Sequence, residues 1–129
     1  MNFLEERIIK DGIVKSGNVL KVDSFLNHQM DIALLEQIGQ EFHRRFSDKH
    51  ITKVLTIESS GIAIAYPVAR AFGVPLLTAK KTESVKLDGE LFVVEVSAMA
   101  HETPTKIVVS KKYLSPEDHV LLIDDFMAN

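Results

Sequence analysis

The stretch Lys53-Val54-Leu55-Thr56-Ile57-Glu58-Ser59-Ser60-Gly61 decides the fold. Its first five residues are nearly continuously apolar and β-branched at several positions, the pattern of a strand buried on both faces. The run stops abruptly at a carboxylate, two hydroxyls and a glycine. Residues 62–72 follow with helical patterning and Gly73 stops them, while Pro67 inside them predicts a kink or a late helix start. Residues 74–79 read as the next strand. Strand, helix and strand in that order predict an α/β fold with a mostly parallel sheet flanked by helices. Ligands of such sheets bind outside the carboxyl ends of the strands, so the strand exits are where chemistry is sought.

Upstream of this unit, Leu4, Ile8 and Ile9 stand at helical spacing and Gly12 ends their segment. Residues 19–22 form a short extended piece that enters the polar run Asp23-Ser24-Phe25-Leu26-Asn27-His28-Gln29. Asp31 caps a second helix with Leu34, Leu35, Ile38, Phe42 and Phe46 on its apolar face and Glu41, Arg44 and Arg45 on a solvated one. Downstream, residues 80–89 read as a polar loop, and 91–96 and 107–109 as strands joined across 97–106. Ser115-Pro116-Glu117-Asp118 marks a turn before a last strand, 120–123, which runs into Asp124-Asp125-Phe126-Met127-Ala128-Asn129. No internal repeat or linker interrupts the pattern.

Composition narrows the classes. The chain has 129 residues, 46% of them hydrophobic and 26% charged, which suits one globular domain with its own core. A net charge of −3, without a run of like charges, offers no footprint for nucleic acid or an anionic membrane. The absence of cysteine excludes disulfides and thiolate metal sites. Met1-Asn2-Phe3-Leu4-Glu5-Glu6 lacks the layout of a signal peptide, and no apolar run approaches the roughly 20 residues that span a bilayer. The expectation is a cytoplasmic protein. His28, His43, His50, His101 and His119 have no metal-ligand spacing and read as surface or loop residues.

Two strand exits carry chemistry. At Glu58, Ser59, Ser60 and Gly61, hydroxyls and a glycine let the backbone approach an anion, and the helix behind them presents its positive dipole end. A phosphate or pyrophosphate would fit, and so would a plain strand-to-helix turn with Ser60 as the helix cap. At Asp124 and Asp125, two adjacent carboxylates follow an apolar strand. Unpaired carboxylates are costly to bury, so they belong at the open end of the sheet. There they suit ribose hydroxyls or a magnesium ion whose other ligands are water and phosphate. The plainer reading is one capping aspartate beside a solvated neighbour.

The run of an apolar strand, Asp124-Asp125, an aromatic, a small residue and Ala128-Asn129 resembles the opening of the phosphoribosyl-pyrophosphate signature of the type I phosphoribosyltransferases. The resemblance implies that fold, with an N-terminal base-binding segment over residues 1–30 and a core over 31–129. It covers the whole chain, which corresponds to the N-terminal two-thirds of the family and stops within the signature, the C-terminal part being absent. It implies Asp124 and Asp125 on the ribose diol, with Ala128 and Asn129 opening the 5′-phosphate loop. Residues 58–61 become the pyrophosphate loop, with a non-proline cis peptide inside it. Lys80 or Lys81 would meet pyrophosphate oxygens, although adjacent lysines at a strand exit are also commonly just solvated. Residues 97–106 occupy the place of a mobile loop that closes over the reacting centre.

Leu20-Lys21-Val22-Asp23-Ser24-Phe25-Leu26-Asn27-His28-Gln29 is very similar to the base-binding segment of the xanthine-type enzymes in this family. The match implies that Leu20 packs on a purine and that the Asn27 amide, which both donates and accepts, reads its oxo edge. Xanthine or a related purine, phosphoribosyl pyrophosphate and Mg2+ are the implied partners, the metal being held through the substrate with no direct side-chain ligand assigned beyond the option of Asp124 or Asp125. A homodimer is also implied. A transferase for another purine, or a phosphoribosyl-pyrophosphate-sensing regulator, remains as an alternative. Two expectations follow for the 129 residues themselves: Leu121 and Ile123 should be poorly buried on one face, and the chain alone should lack transferase activity and either self-associate or lean on another copy.

Overall fold

A computed structural model describes residues 2–81, 87–97 and 103–127. The decisive stretch forms β3 (Lys53–Ile57), which alternates strictly: Val54 and Thr56 are fully buried, and Leu55 and Ile57 are half-buried on the opposite face. Helix α3 (Ile62–Phe72) returns the chain to β4 (Leu76–Lys81), which lies parallel to β3 with Val54 opposite Leu76 and Thr56 opposite Thr78. Gly73 ends α3 in the left-handed region at φ 66°. The last strand, β7 (Val120–Leu122), lies parallel on the other side of β3.

Beyond β4 the sheet changes hand. The hairpin β5 (Leu91–Val96) and β6 (Thr105–Ser110) joins antiparallel through Lys80 and Lys81, giving the order β5-β6-β4-β3-β7. The two lysines therefore belong to β4 and not to a loop, because β6 extends the ladder past the point where parallel pairing ends. At the N-terminus, α1 (Phe3–Asp11) is capped by Asn2, and β1 (Ile13–Lys15) pairs antiparallel with β2 (Val19–Lys21) in a separate two-stranded sheet. The strand at 13–15 was not anticipated.

Helix α2 (Ile32–Phe46) is capped as the sequence predicts, the Asp31 carboxylate accepting the Leu34 N–H at 3.2 Å. Its buried face meets α3 where Gly39 faces Pro67; a Cβ on residue 39 would lie 2.6 Å from the Pro67 carbonyl oxygen. Helix α3 runs through Pro67 from Ile62, so the late start is not observed, and the proline is buried against this contact. On the outer face of α2, Glu41 accepts from Arg44 and Arg45, which hold its carboxyl down at about 2.

One core joins these parts. Val22, Phe25 and Leu26 pack with Leu34, Leu35 and Ile38 of α2, with Ile64, Ala65 and Val68 of α3, and with Val54. Full burial of a side chain such as Phe25 contributes about 1.5–3 kcal/mol, so residues 1–30 are anchored and not merely appended. Leu121 and Ile123 belong to the same core at 7% and 2% exposure, against expectation. Alternation along β7 turns them toward the helices and leaves Val120 and Leu122 exposed instead.

Candidate functional site

The two strand exits singled out in the sequence lie side by side, because β3 and β7 are parallel neighbours. Ile123 donates its N–H to the Leu55 carbonyl at 2.9 Å, which carries the ladder to the point where β7 gives way to Asp124. Gly61 is the meeting point. A Cβ built there would collide with the Thr56 hydroxyl and lie 3.1 Å from Asp124 Oδ1. Glycine is thus required by close approach, since any side chain would push the two exits apart.

The Glu58–Ser59 peptide is cis, within the loop where a non-proline cis bond was expected. Ser59 and Ser60 are exposed. Gly61, not Ser60, is the residue that caps α3, and no side chain bonds the cap, so the plain capping role for Ser60 is not found. The Gly61 carbonyl accepts from Ala65 at 2.9 Å, and Ile62 donates to the Ser59 carbonyl at 3.2 Å. The loop is therefore tied into the first turn of an 11-residue helix whose dipole end favours an anion.

Glu58 points back across β4. Its Oε1 accepts the Lys81 N–H at 2.6 Å, and its Oε2 lies 3.7 Å from Lys80 Nζ. Lys80 is thereby held beside the loop while Lys81 lies exposed at the strand end. The role of Glu58 as the tether between loop and lysines was not legible in the sequence.

Asp124 and Asp125 differ in setting. The Asp124 carboxylate accepts the Asp125 N–H at 2.9 Å, and Asp125 accepts the Phe126 N–H at 3.1 Å. Burial of its carboxyl group pushes Asp124 above the usual carboxylate range, although the residue as a whole is accessible. The Asp125 N–H opposes that shift and the Asp125 carboxylate adds to it. Among the described residues the Asp124 carboxylate accepts one hydrogen bond, from its own neighbour, which leaves acceptor capacity for a ligand.

Leu20 lies on β2 and Asn27 on the turn that follows it, and both segments join the strands through the shared core. Leu20, on β2, packs against that core. Asn27 closes a single π-helical turn, Asp23–Asn27, whose Phe25 and Leu26 are buried. Arg7 braces this turn: its guanidinium stacks on the Phe25 ring at 5.0 Å and pairs with Asp31 at 2.6 Å. Neither Arg7 nor Thr56 was singled out in the sequence. Ala128, Asn129, His101 and most of the 97–106 loop lie outside the described residues, as do positions 82–86 of the expected 80–89 loop.

Comparison with known proteins bears on this geometry. No protein-family model matches the chain. It is 57% identical over its whole length to a xanthine phosphoribosyltransferase of Lachnoclostridium phytofermentans, of which it covers 66%. It is 54% identical to one of Ruminiclostridium cellulolyticum, of which it covers 68%. The chain belongs to the xanthine phosphoribosyltransferase family. It spans about two-thirds of the length of these relatives. Among solved structures, an adenine phosphoribosyltransferase of Giardia lamblia complexed with 9-deazaadenine matches at 28% identity and a TM-score of 0.66, over 87% of this chain and 61% of that one. One from Leishmania donovani matches 98% of this chain and 57% of its own at a TM-score of 0.74 and 19% identity, a likeness of fold alone. The α/β fold is thus that of the type I phosphoribosyltransferases.

Proposed function

We propose that the protein transfers the phosphoribosyl group of phosphoribosyl pyrophosphate to xanthine, giving xanthosine monophosphate and pyrophosphate in purine salvage. The observation that carries this reading is the approach of Asp124 to Gly61 of the 58–61 loop, at the carboxyl ends of two parallel strands, in a chain of this family. The loop at the mouth of α3 takes the pyrophosphate, with Lys80 beside it. Asp124 and Asp125 take the ribose hydroxyls, and Ala128 and Asn129 lead toward the 5′-phosphate. Leu20 and Asn27 hold the purine.

The chemistry then rests on positioning and electrostatics. As the bond from C1′ to pyrophosphate breaks and the purine nitrogen attacks, positive charge develops on the ribose. Asp124 and Asp125 face that charge, while the α3 terminus and Lys80 face the departing anion. Among the described residues no three carboxylate or imidazole groups cluster as a metal cage. The carboxylates of Asp124 and Asp125 are hard oxygen donors and would suit a Mg2+ carried mainly by substrate oxygens and water, and the ion would neutralise charge on the leaving group. Closure of residues 97–106 would exclude water from the activated ribose. No helix among the described residues is long and apolar enough to cross a membrane. Cytoplasmic residence and a homodimer complete the proposal.

The test is product formation by the full-length protein offered a panel of purines with phosphoribosyl pyrophosphate and Mg2+. Xanthosine monophosphate as the main product is expected. Preference for another purine would reassign the base, and binding without turnover would make the protein a sensor.

A further inference from the structure

Thr56 lies in the middle of β3 with none of its surface exposed, and its hydroxyl has no hydrogen-bond partner among the described residues. Alternation turns it, like Val54, toward the helices. Valine would fill the same space without an orphaned hydroxyl, so threonine carries a cost here that packing does not explain. Thr78, its register partner on β4, does not relieve it. The hydroxyl is aimed at Gly61, at the same point that Asp124 Oδ1 approaches from the neighbouring strand. Two polar groups that both lack a full set of partners thus converge on the one residue without a side chain.

We propose that Thr56 is a positioning residue for Asp124. Its hydroxyl donates to the Asp124 carboxylate once substrate draws the residues after β7 against Gly61, and the buried bond fixes that carboxylate under the ribose. The interaction contributes when substrate is bound and not in the resting fold, which is how a bond serves the reaction rather than stability. This rests on the reading that Asp124 meets the ribose.

The experiment compares T56V and T56S in the full-length protein by steady-state kinetics and by thermal shift with phosphoribosyl pyrophosphate and Mg2+. Without substrate, T56V should melt at or above the wild-type temperature, because an orphaned hydroxyl has gone. Its kcat should fall about tenfold or more, the size of one lost hydrogen bond to a charged group. The KM for xanthine should hold, and the substrate-induced shift should shrink. T56S, which restores the hydroxyl, should recover both. Wild-type kcat and shift in T56V would overturn the proposal, since the hydroxyl would be idle. A lower melting temperature in both variants would reduce Thr56 to packing, and in T56V alone would assign the hydroxyl to the resting fold; either result also overturns it. Should the wild-type protein form no xanthosine monophosphate, the activity reading fails, while the thermal shift of T56V against T56S still decides the role of Thr56. A wild-type protein with no shift at all would sink both.

Discussion

The strand β7 has an aspartate before it and an aspartate after it, and the two live in opposite conditions. Asp118, at the amino end, accepts from the Ser115 N–H at 2.9 Å and from the Thr52 hydroxyl at 2.8 Å, and Lys53 Nζ stands 3.4 Å away. Thr52 accepts in turn from the His119 N–H, and Lys53 also reaches the Tyr113 carbonyl. These bonds, the Ser115 N–H first, hold the Asp118 carboxyl below the usual range. Asp124, at the carboxyl end, receives one bond from its own neighbour and is pushed above that range by burial. Close by, the Thr56 hydroxyl has no hydrogen-bond partner among the described residues. Among the described residues, one end of the sheet satisfies its polar groups internally, and the other holds polar groups without a full set of partners. Local departures from self-satisfaction of this kind are expected where function is located.

The largest expected effect breaks this comparison most directly. D124N in the full-length protein should lower kcat about 100-fold or more, the scale seen when one charge-stabilising group is removed from a reacting centre. Its melting temperature should hold or rise. D118N should do the reverse, with a lower melting temperature and near-normal turnover per folded molecule. If D118N silenced the enzyme while melting normally, the assignment of a structural end and a chemical end would be wrong.

A smaller effect sharpens the comparison by asking whether the purine site is a third, independent region. N27A should weaken xanthine by about 1–3 kcal/mol, the usual cost of an unpaired polar edge, and leave phosphoribosyl pyrophosphate affinity nearly unchanged. The observable is the KM for each substrate. Equal losses for both would mean that Asn27 supports the turn that anchors residues 1–30 to the core, and so acts on fold rather than on base.

What the sequence made legible follows the same division. Elements with a continuous apolar run or a clean helical face, β3, α2, α3 and β7, were readable because burial writes a periodic pattern. The strand at 13–15 was not, since all three of its residues are exposed and its pairing with β2 leaves no apolar pattern to read. Lys80 and Lys81 read as loop because charge at a strand end hides a ladder that only β6 reveals. The faces of β7 were assigned backwards for Leu121 and Ile123 because register, which decides orientation, comes from pairing with β3 and not from composition. The chemical residues at the two strand exits were legible as anomalies after apolar strands. Their meeting at Gly61 was not, because it depends on parallel pairing of strands far apart in sequence. Thr56 was hidden most completely: inside a β-branched run a threonine reads as one more strand former.

The smallest effect is electrostatic and tests the comparison through its sign. The folded state holds Asp118 below the ordinary value of 3.8, so the unfolded chain takes up the proton more readily. Its stabilisation is complete above that ordinary value and is lost as pH falls through the lower, folded value. Asp124 is held above 3.8, so its charged form is disfavoured by the fold. That penalty is present at neutral pH and disappears as pH falls through the raised value toward the ordinary one. Melting temperatures of substrate-free wild type, D118N and D124N between neutral and acid pH should therefore separate in opposite directions. Wild type should exceed D118N at neutral pH and approach it in acid; D124N should equal or exceed wild type at neutral pH and lose that advantage in acid. A common sign for the two variants would mean that the two ends of β7 do not differ electrostatically, and would leave hydrogen-bond count alone to separate them.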